Sequence, residues 1–107
     1  MNWDKDAPVG IFDSGVGGIS VLREAVRLLP RERFLYYGDT AYAPYGTKTP
    51  QQVLQRVETV VDLLLARGIK ALVIACNTAT SVAAKALRER LDIPVIGMEP
   101  ALKPASL

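Results

Sequence analysis

Four short apolar runs, spaced along the chain and separated by segments with helical periodicity, constrain this sequence more than any other feature. The runs are Pro8 to Phe12, Phe34 to Tyr37, Ala71 to Ala75 and Pro94 to Gly97. Each is short enough for a strand, and the segments between them repeat apolar residues every three or four positions, which predicts helices. Strands that alternate with helices form a parallel sheet, because each crossover returns across a face of the sheet. We therefore predict an α/β fold with a parallel four-stranded sheet flanked by helices.

The ends of the three predicted helices are marked by residues with known end preferences. Pro30 stops the first helix, and Pro50 suits the first turn of the second, where a missing N–H costs nothing. Gly68 predicts the C-terminal cap of the second helix, and Asn77 or Thr78 the N-terminal cap of the third. The apolar positions expected to face the core are Ile19, Leu22, Val26 and Leu29, then Val53, Val57, Val60, Val61, Leu64 and Leu65, then Val82, Ala83, Ala86, Leu87 and Leu91.

The composition is that of one small soluble domain. The chain has 107 residues, of which 50% are hydrophobic and 22% charged, a balance that excludes a disordered chain or a coiled coil. We predict a single domain over residues 1–107, with residues 1–7 as a flexible tail and 99–107 as the start of a connection to a second lobe outside this sequence.

The charge and hydropathy of the sequence indicate which kinds of binding partner and which cellular location to expect. The net charge of +2 comes from cations interspersed with acids, whereas a nucleic-acid interface requires a stripe of one sign. The first ten residues are polar and unlike a signal peptide, and no apolar run approaches the length of a membrane span. We expect a cytoplasmic protein that binds neither nucleic acid nor membrane.

The chain contains one cysteine and no histidine. An internal disulfide is therefore impossible, and a transition-metal site is not expected, because such sites usually need several Cys or His ligands. We expect a reducing compartment and no metal.

Ligands of open α/β sheets bind outside the carboxyl ends of the strands. Three loops occupy that position here, Asp13 to Gly18, Asp39 to Thr49 and Cys76 to Thr80, and Glu99 follows the last strand. We predict that a binding or catalytic site is built from these loops.

The first loop, "DSGVGG", has several interpretations. It could bind an anion at a helix start, or be a turn that simply needs glycine's conformational freedom. A dinucleotide fingerprint with Asp39 as the ribose ligand is disfavoured, because Ser20 replaces a glycine and Asp13 would face the pyrophosphate. No Gly-Lys-Ser/Thr sequence follows, which excludes a P-loop. Asp13 and Ser14 suit a ligand that carries an ammonium group.

The second loop contains a rigid Pro44-Tyr45-Gly46 turn that offers backbone donors and a phenol. Ordered loops of this length are often functional. For Tyr36 and Tyr37 we expect packing, with their hydroxyls at the surface.

Cys76 lies at the end of the third strand. A lone cysteine is commonly a small packing residue, but a position before a helix N-terminus favours the thiolate. A cysteine nucleophile needs a histidine base and a redox pair needs a second cysteine. The remaining roles are a proton-carrying thiol, or a group whose partner lies outside this sequence.

Four motifs together resemble the N-terminal motifs of the glutamate racemase family, within the Asp/Glu racemase superfamily. They are "GIFDSGVGG" at residues 10–18, "YYGDTAYAPYG" at 36–46, "ACNTAT" at 75–80 and "IPVIGMEP" at 93–100. The resemblance implies a cofactor-independent enzyme that interconverts L- and D-glutamate for peptidoglycan synthesis. Two cysteines of that family transfer protons on opposite faces of the α-carbon.

The resemblance assigns roles to individual residues. It implies that Cys76 is the first catalytic cysteine, that Asp13 assists proton transfer, and that the substrate is bound by Asp13, Ser14, Tyr45, Gly46, Asn77 and Thr78. The family's later motif, a cysteine followed by threonine and histidine, is not in this sequence.

Because that second cysteine is missing, we expect the isolated chain to be inactive as a racemase, with a longer parent that could be a homodimer. An aspartate racemase, or a non-catalytic amino-acid or anion-binding module in which Cys76 only packs, remains an alternative.

Overall fold

The apolar runs form the strands of a parallel sheet in the computed structural model, which describes residues 5–15 and 18–98. The elements are β1 (Val9–Asp13), α1 (Gly18–Leu28), β2 (Phe34–Gly38), α2 (Pro50–Ala66), β3 (Ala71–Ile74), α3 (Asn77–Arg90) and β4 (Val95–Gly97). Two 3-10 turns, Thr40–Tyr42 and Tyr45–Thr47, lie between β2 and α2. The predicted α/β fold with a parallel four-stranded sheet is confirmed. The proposed connection at 99–107, Glu99 and most of the proposed N-terminal tail lie outside the described residues.

The first strand lies inside the sheet. The strand order is β2-β1-β3-β4, and every adjacent pair is parallel. Phe12 is in register with Tyr37 on one side and with Ile74 on the other. The chain therefore leaves β1 in one direction to form β2 and then crosses back over β1 to form β3.

That reversal puts the helices on both faces of the sheet. Right-handed crossovers place α1 on one face and α2 and α3 on the other, and α2 packs against α3. The main core lies under α2 and α3 and contains Phe12, Tyr45, Val53, Val57, Val60, Val61, Leu64, Ile69, Leu72, Ile74, Ala79, Ala83, Ala84, Leu87 and Val95.

The face of the sheet on which α1 packs is less well covered than the face under α2 and α3. α1 contacts β1 and β2. Three residues predicted to face the core stay about half exposed, Ile19 at 47% and Val26 at 48% in α1, and Leu29 just after it at 53%. The helix was predicted correctly, but these residues are not buried, since α1 covers only the β1–β2 part of the sheet.

The start of α2 has a complete capping box. The Thr49 hydroxyl accepts the Gln52 backbone N–H at 3.1 Å, and the Gln52 side-chain oxygen accepts the Thr49 N–H at 3.0 Å. Pro50 occupies the first helical position, as predicted. The predicted valines and Leu64 are buried, whereas Leu65 is only partly so. The cap fixes where the loop from β2 enters α2.

Gly68 follows Arg67, the C-cap residue of α2, so the cap lies one residue earlier than the predicted glycine. Gly68 has a φ of +78°, the left-handed conformation that glycine favours just after a helix. We expect Gly68→Ala to lower the free energy of unfolding by about 1 kcal/mol, because a Cβ is disfavoured in the left-handed region. Urea unfolding followed by circular dichroism measures the change. Gly68→Asn is the control, since asparagine tolerates this conformation, and equal losses for both variants would contradict the argument.

The predicted N-cap of α3 is wrong. The capping residue is Cys76, whose sulfur accepts the Ala79 N–H at 3.4 Å, and Asn77 is already the first helical residue. Ala83 and Leu87 are buried as predicted, but Ala86 is exposed. The buried face of α3 instead includes Ala79, Thr80 and Ala84, because the helix also packs against β4, where a Cβ on Gly97 would lie 2.4 Å from Thr80 Cγ2.

Candidate functional site

The carboxyl ends of β1 and β3 meet at the point where the strand order reverses. Ala75 N–H donates to Phe12 O at 2.7 Å, so the pairing of β1 with β3 extends to the residue before Cys76. Adjacent strands lie about 4.8 Å apart, which places Asp13 beside Ala75 and next to the start of α3. A crevice at such a reversal is the usual ligand site of an open α/β sheet.

Asp13 is buried at this edge, with 4% of its surface exposed. Its carbonyl accepts the Asp39 N–H at 2.8 Å, which fixes the end of β1 to the start of the loop after β2. Burial, followed by the negative charge of Asp13, raises the pKa of Tyr36 above its ordinary value. The Asp13 carboxylate and the Tyr36 phenol therefore share one environment, with the half-buried Ser14 following Asp13.

Tyr36 supports the first loop. Its hydroxyl donates to Gly15 O at 3.0 Å, so it is not left to solvent as predicted. The neighbouring Gly38 is required by this close approach, because a Cβ there would lie 2.9 Å from Gly15 O and 3.0 Å from the Tyr36 hydroxyl. Gly15 thus lies directly against β2.

The loop of residues 39–49, called the middle loop below, is anchored by a buried phenol. Tyr45 is 2% exposed, its ring centroid lies 6.0 Å from that of Phe12, and its hydroxyl donates to Asp39 Oδ2 at 2.6 Å. Burial, then the hydrogen bond and charge of Asp39, raise the pKa of Tyr45, and the charge of Cys76 adds to this. The phenol is bound inside the protein, and the next residue, Gly46, is exposed.

An ion pair that the sequence analysis did not predict holds the middle loop to α2. Arg56 Nε and Nη2 donate to the two carboxylate oxygens of Asp39, at 2.7 and 2.9 Å. The guanidinium carbon also lies 3.9 Å from the centroid of the Tyr42 ring, and Nη2 is 3.5 Å from the Tyr37 hydroxyl. The Asp39 carboxylate therefore binds Arg56 inside the protein and is not available as a ribose ligand.

The pKa of Asp39 is lowered. Burial alone would raise it, but the hydrogen bonds from Arg56 and Tyr45 and the charges of Arg56 and Lys48 outweigh burial. A carboxyl whose pKa is depressed by folding stabilises the protein fully above its unfolded pKa of about 3.9 and loses that contribution as the pH falls toward the folded value.

This predicts that the free energy of unfolding decreases as the pH falls below about 4, partly through Asp39. Asp39→Asn should be less stable at pH 7 and show a shallower decrease in acid, because its amide does not titrate there. Urea unfolding between pH 3 and 7 measures both slopes. Asp62→Asn, which alters an exposed ion pair with Arg90, should keep the slope of the unmodified protein, and parallel slopes for all three would contradict the prediction.

Cys76 combines a packing contact with a position at the crevice. Its side chain is half-buried against the core, its sulfur caps α3, and its carbonyl accepts the Thr80 N–H at 2.9 Å. Asn77 is exposed and Thr78 half-buried in the first turn. Of the predicted site residues, Asp13 ends β1 and Ser14 follows it, while Cys76, Asn77 and Thr78 come after the adjacent strand β3. The turn that begins at Tyr45 contacts α3.

Metal-binding clusters of side chains and helices that could cross a membrane are both absent from the described residues. Within residues 5–15 and 18–98, no group of three or more His, Cys, Asp or Glu side chains is arranged to hold a metal ion. In the same part of the chain, every helix is too short or too polar to cross a lipid bilayer.

The fold and the strand-order reversal define an open α/β protein, a class in which small molecules usually bind at such a reversal. A sequence comparison then gives the family, since residues 10–106 match the family described as Asp/Glu/Hydantoin racemase. The chain belongs to the Asp/Glu/hydantoin racemase family.

Individual relatives agree with this assignment. A glutamate racemase of Clostridium botulinum is 64% identical over 101 residues, which is 94% of this chain and 39% of that protein. The crystal structure of a Thermus thermophilus glutamate racemase in complex with β-chloro-D-alanine has a TM-score of 0.85 and 53% identity, over 88% of this chain and 37% of that one.

An Escherichia coli glutamate racemase, solved with L-glutamate and the activator UDP-MurNAc-Ala, has a TM-score of 0.86 and 43% identity. That match covers 94% of this chain and 38% of the E. coli chain. The chain thus spans under two fifths of the length of these relatives.

Proposed function

We propose that this chain is the N-terminal part of a cytoplasmic glutamate racemase that interconverts L- and D-glutamate without a cofactor and supplies D-glutamate for peptidoglycan. The observation that supports the proposal is the pairing of β1 with β3, which puts Asp13 at the end of β1 beside the residue before Cys76. The 64% identity to a glutamate racemase supports the choice of substrate.

In this proposal the Cys76 thiolate removes the α-proton of glutamate. Asp13 lies at the adjacent strand end, where it attracts the substrate ammonium group and assists the transfer, with Ser14 beside it. A base and the proton it removes must lie within hydrogen-bond reach, and the half-buried Cys76 at the crevice fits that requirement.

The substrate carboxylates are assigned to the loops around Cys76. The first turn of α3, with Asn77 and Thr78, presents backbone N–H groups and the positive end of the helix dipole, which favour anions. The backbone at Tyr45 and Gly46 supplies donors from the opposite side, since the 3-10 turn that contains them contacts α3.

The acid that returns a proton to the opposite face is proposed to lie outside this sequence, because Cys76 is its only cysteine. Residues 99–107 would then begin the connection to a second lobe, and the complete enzyme could be a homodimer. We expect this chain alone to exchange the α-proton without inverting the α-carbon.

Incubation of the purified chain with L-glutamate and, separately, with D-glutamate in deuterated buffer tests the proposal, because a single thiol faces the α-proton of only one enantiomer. Proton NMR should show loss of the α-proton signal for one of the two, and chiral chromatography should show no inverted product. Racemisation by the chain alone would overturn the two-thiol mechanism, and absence of exchange with both enantiomers would overturn the catalytic role of Cys76. L-Aspartate in the same assay distinguishes an aspartate racemase.

A second candidate is a non-catalytic amino-acid-binding module. The specific observation in its favour is that the Cys76 sulfur caps α3 and contacts the core, which is sufficient reason for a cysteine at this position. The rate of alkylation by iodoacetamide between pH 5 and 9 separates the two, because only a reactive thiolate is alkylated rapidly below neutral pH.

A further inference from the structure

We propose that Arg56 is a positioning residue of this site, and that it acts through Asp39 to fix the middle loop against Cys76. The ligand in this inference rests on the proposed function, whereas the effect on the loop does not. The three groups involved, the Arg56 guanidinium, the Asp39 carboxylate and the Tyr45 phenol, are called the loop clamp below.

Asp39 joins three parts of the site. Its N–H donates to Asp13 O, which holds it to β1. One carboxylate oxygen accepts both the Tyr45 hydroxyl and Arg56 Nε, and the other accepts Arg56 Nη2. The carboxylate is 2% exposed, so water cannot replace a lost partner easily and the loop position depends on these bonds.

Arg56 is suited to this task by shape as well as charge. A guanidinium presents a planar fork that binds both oxygens of a carboxylate, while a lysine ammonium is a compact charge without that fork. The fork is held on its face by the Tyr42 ring at 3.9 Å and at its edge by the Tyr37 hydroxyl. Tyr42 belongs to the middle loop itself, so Arg56 contacts that loop at two places.

Tyr45 transmits the clamp to the crevice. Its buried ring lies against Phe12, the residue before Asp13, and its phenol is within electrostatic range of the Cys76 thiol. The turn that begins at Tyr45 contacts α3. A shift of the clamp therefore changes where the backbone of Tyr45 and Gly46 lies relative to Cys76, and small misplacements of binding groups have large effects on a site.

The test uses Arg56→Gln, with Arg56→Lys as a milder variant that retains the charge. Arg90→Gln is the matched control, because Arg90 forms an exposed ion pair with Asp62 between α3 and α2 and has no contact with the loop clamp among the interactions described. Amide hydrogen exchange over residues 40–48 reports the loop. The L-glutamate concentration that halves the rate of Cys76 alkylation reports the site.

We expect Arg56→Gln to accelerate exchange in residues 40–48 by about tenfold or more, with exchange in β1 and β3 unchanged. The half-protecting glutamate concentration should rise by a similar factor. Arg56→Lys should recover part of both effects and Arg90→Gln should show neither. A purely structural role predicts accelerated exchange with unchanged glutamate protection.

Unchanged loop exchange in both Arg56 variants, or faster exchange with normal glutamate protection, would overturn the inference. If Arg56→Gln does not fold, Arg56→Lys decides by the same two measurements. If glutamate fails to protect Cys76 in the unmodified chain, the proposed substrate is rejected, and loop exchange alone then decides whether the loop clamp exists.

Discussion

Cys76→Ser should reduce deuterium exchange at the α-carbon of glutamate by about a hundredfold or more, the usual contribution of a positioned general base. A serine hydroxyl is a much weaker base than a thiolate, so chemistry is lost. The fold is retained, since serine is a strong N-cap residue and replaces the sulfur that accepts the Ala79 N–H. Proton NMR of glutamate in deuterated buffer measures the rate.

The control for this substitution is Thr59→Ser on α2, where the hydroxyl donates to the Gln55 carbonyl at 3.1 Å on an exposed surface. It should leave the exchange rate unchanged. Equal rates for Cys76→Ser and the unmodified chain would assign the sulfur to capping and packing, and so favour the non-catalytic binding module.

Phe12→Ala should lower the free energy of unfolding by about 3 to 5 kcal/mol, the usual cost of deleting a fully buried phenylalanine. Phe12 is 0% exposed, lies on the internal strand, and contacts the Tyr45 ring. The cavity would open under α2 and α3, where the main core lies. Such a loss is a large fraction of the stability of a small domain, and urea unfolding followed by circular dichroism measures it.

Ile96→Ala is the matched control for Phe12→Ala. Ile96 is also a large apolar strand residue, but it is 53% exposed, and its truncation should change stability by at most about 0.5 kcal/mol. A loss below about 1.5 kcal/mol for Phe12→Ala would contradict the packing described for the face under α2 and α3.

Local pattern was enough to predict the strands, the helices and the loops of the site. The ends of β1 and β3 were predicted to within one residue, because apolar runs and helix-end residues depend on neighbours in sequence. The strand order was not predicted, since pairing depends on contacts between distant segments. For the same reason the half exposure of Ile19 and Val26 was missed, as periodicity alone does not say how much of a sheet a helix covers.

Two parts of the site could not be predicted from their sequence context. Arg56 lies in an amphipathic helix, where a charged residue is usually solvated, and only the folded loop brings Asp39 and Tyr42 to it. Cys76 was missed as the cap of α3 because N-cap preferences favour Ser, Thr, Asp and Asn. In both cases a side chain stabilises a neighbouring segment: Cys76 caps α3 at the proposed site, and Arg56 binds Asp39 of the middle loop next to it.

The internal position of β1 determines the order in which the parts of the proposed site can come together during folding. Asp13 and Cys76 are separated by more than half of the chain and meet only when β3 pairs with β1. Such a long-range pairing requires closure of a large loop and forms slowly compared with local structure. The β1-α1-β2 unit can pair first without creating a site. Glutamate-protected Cys76 would therefore mark the pairing of β3 with β1, and its appearance during refolding would time that step.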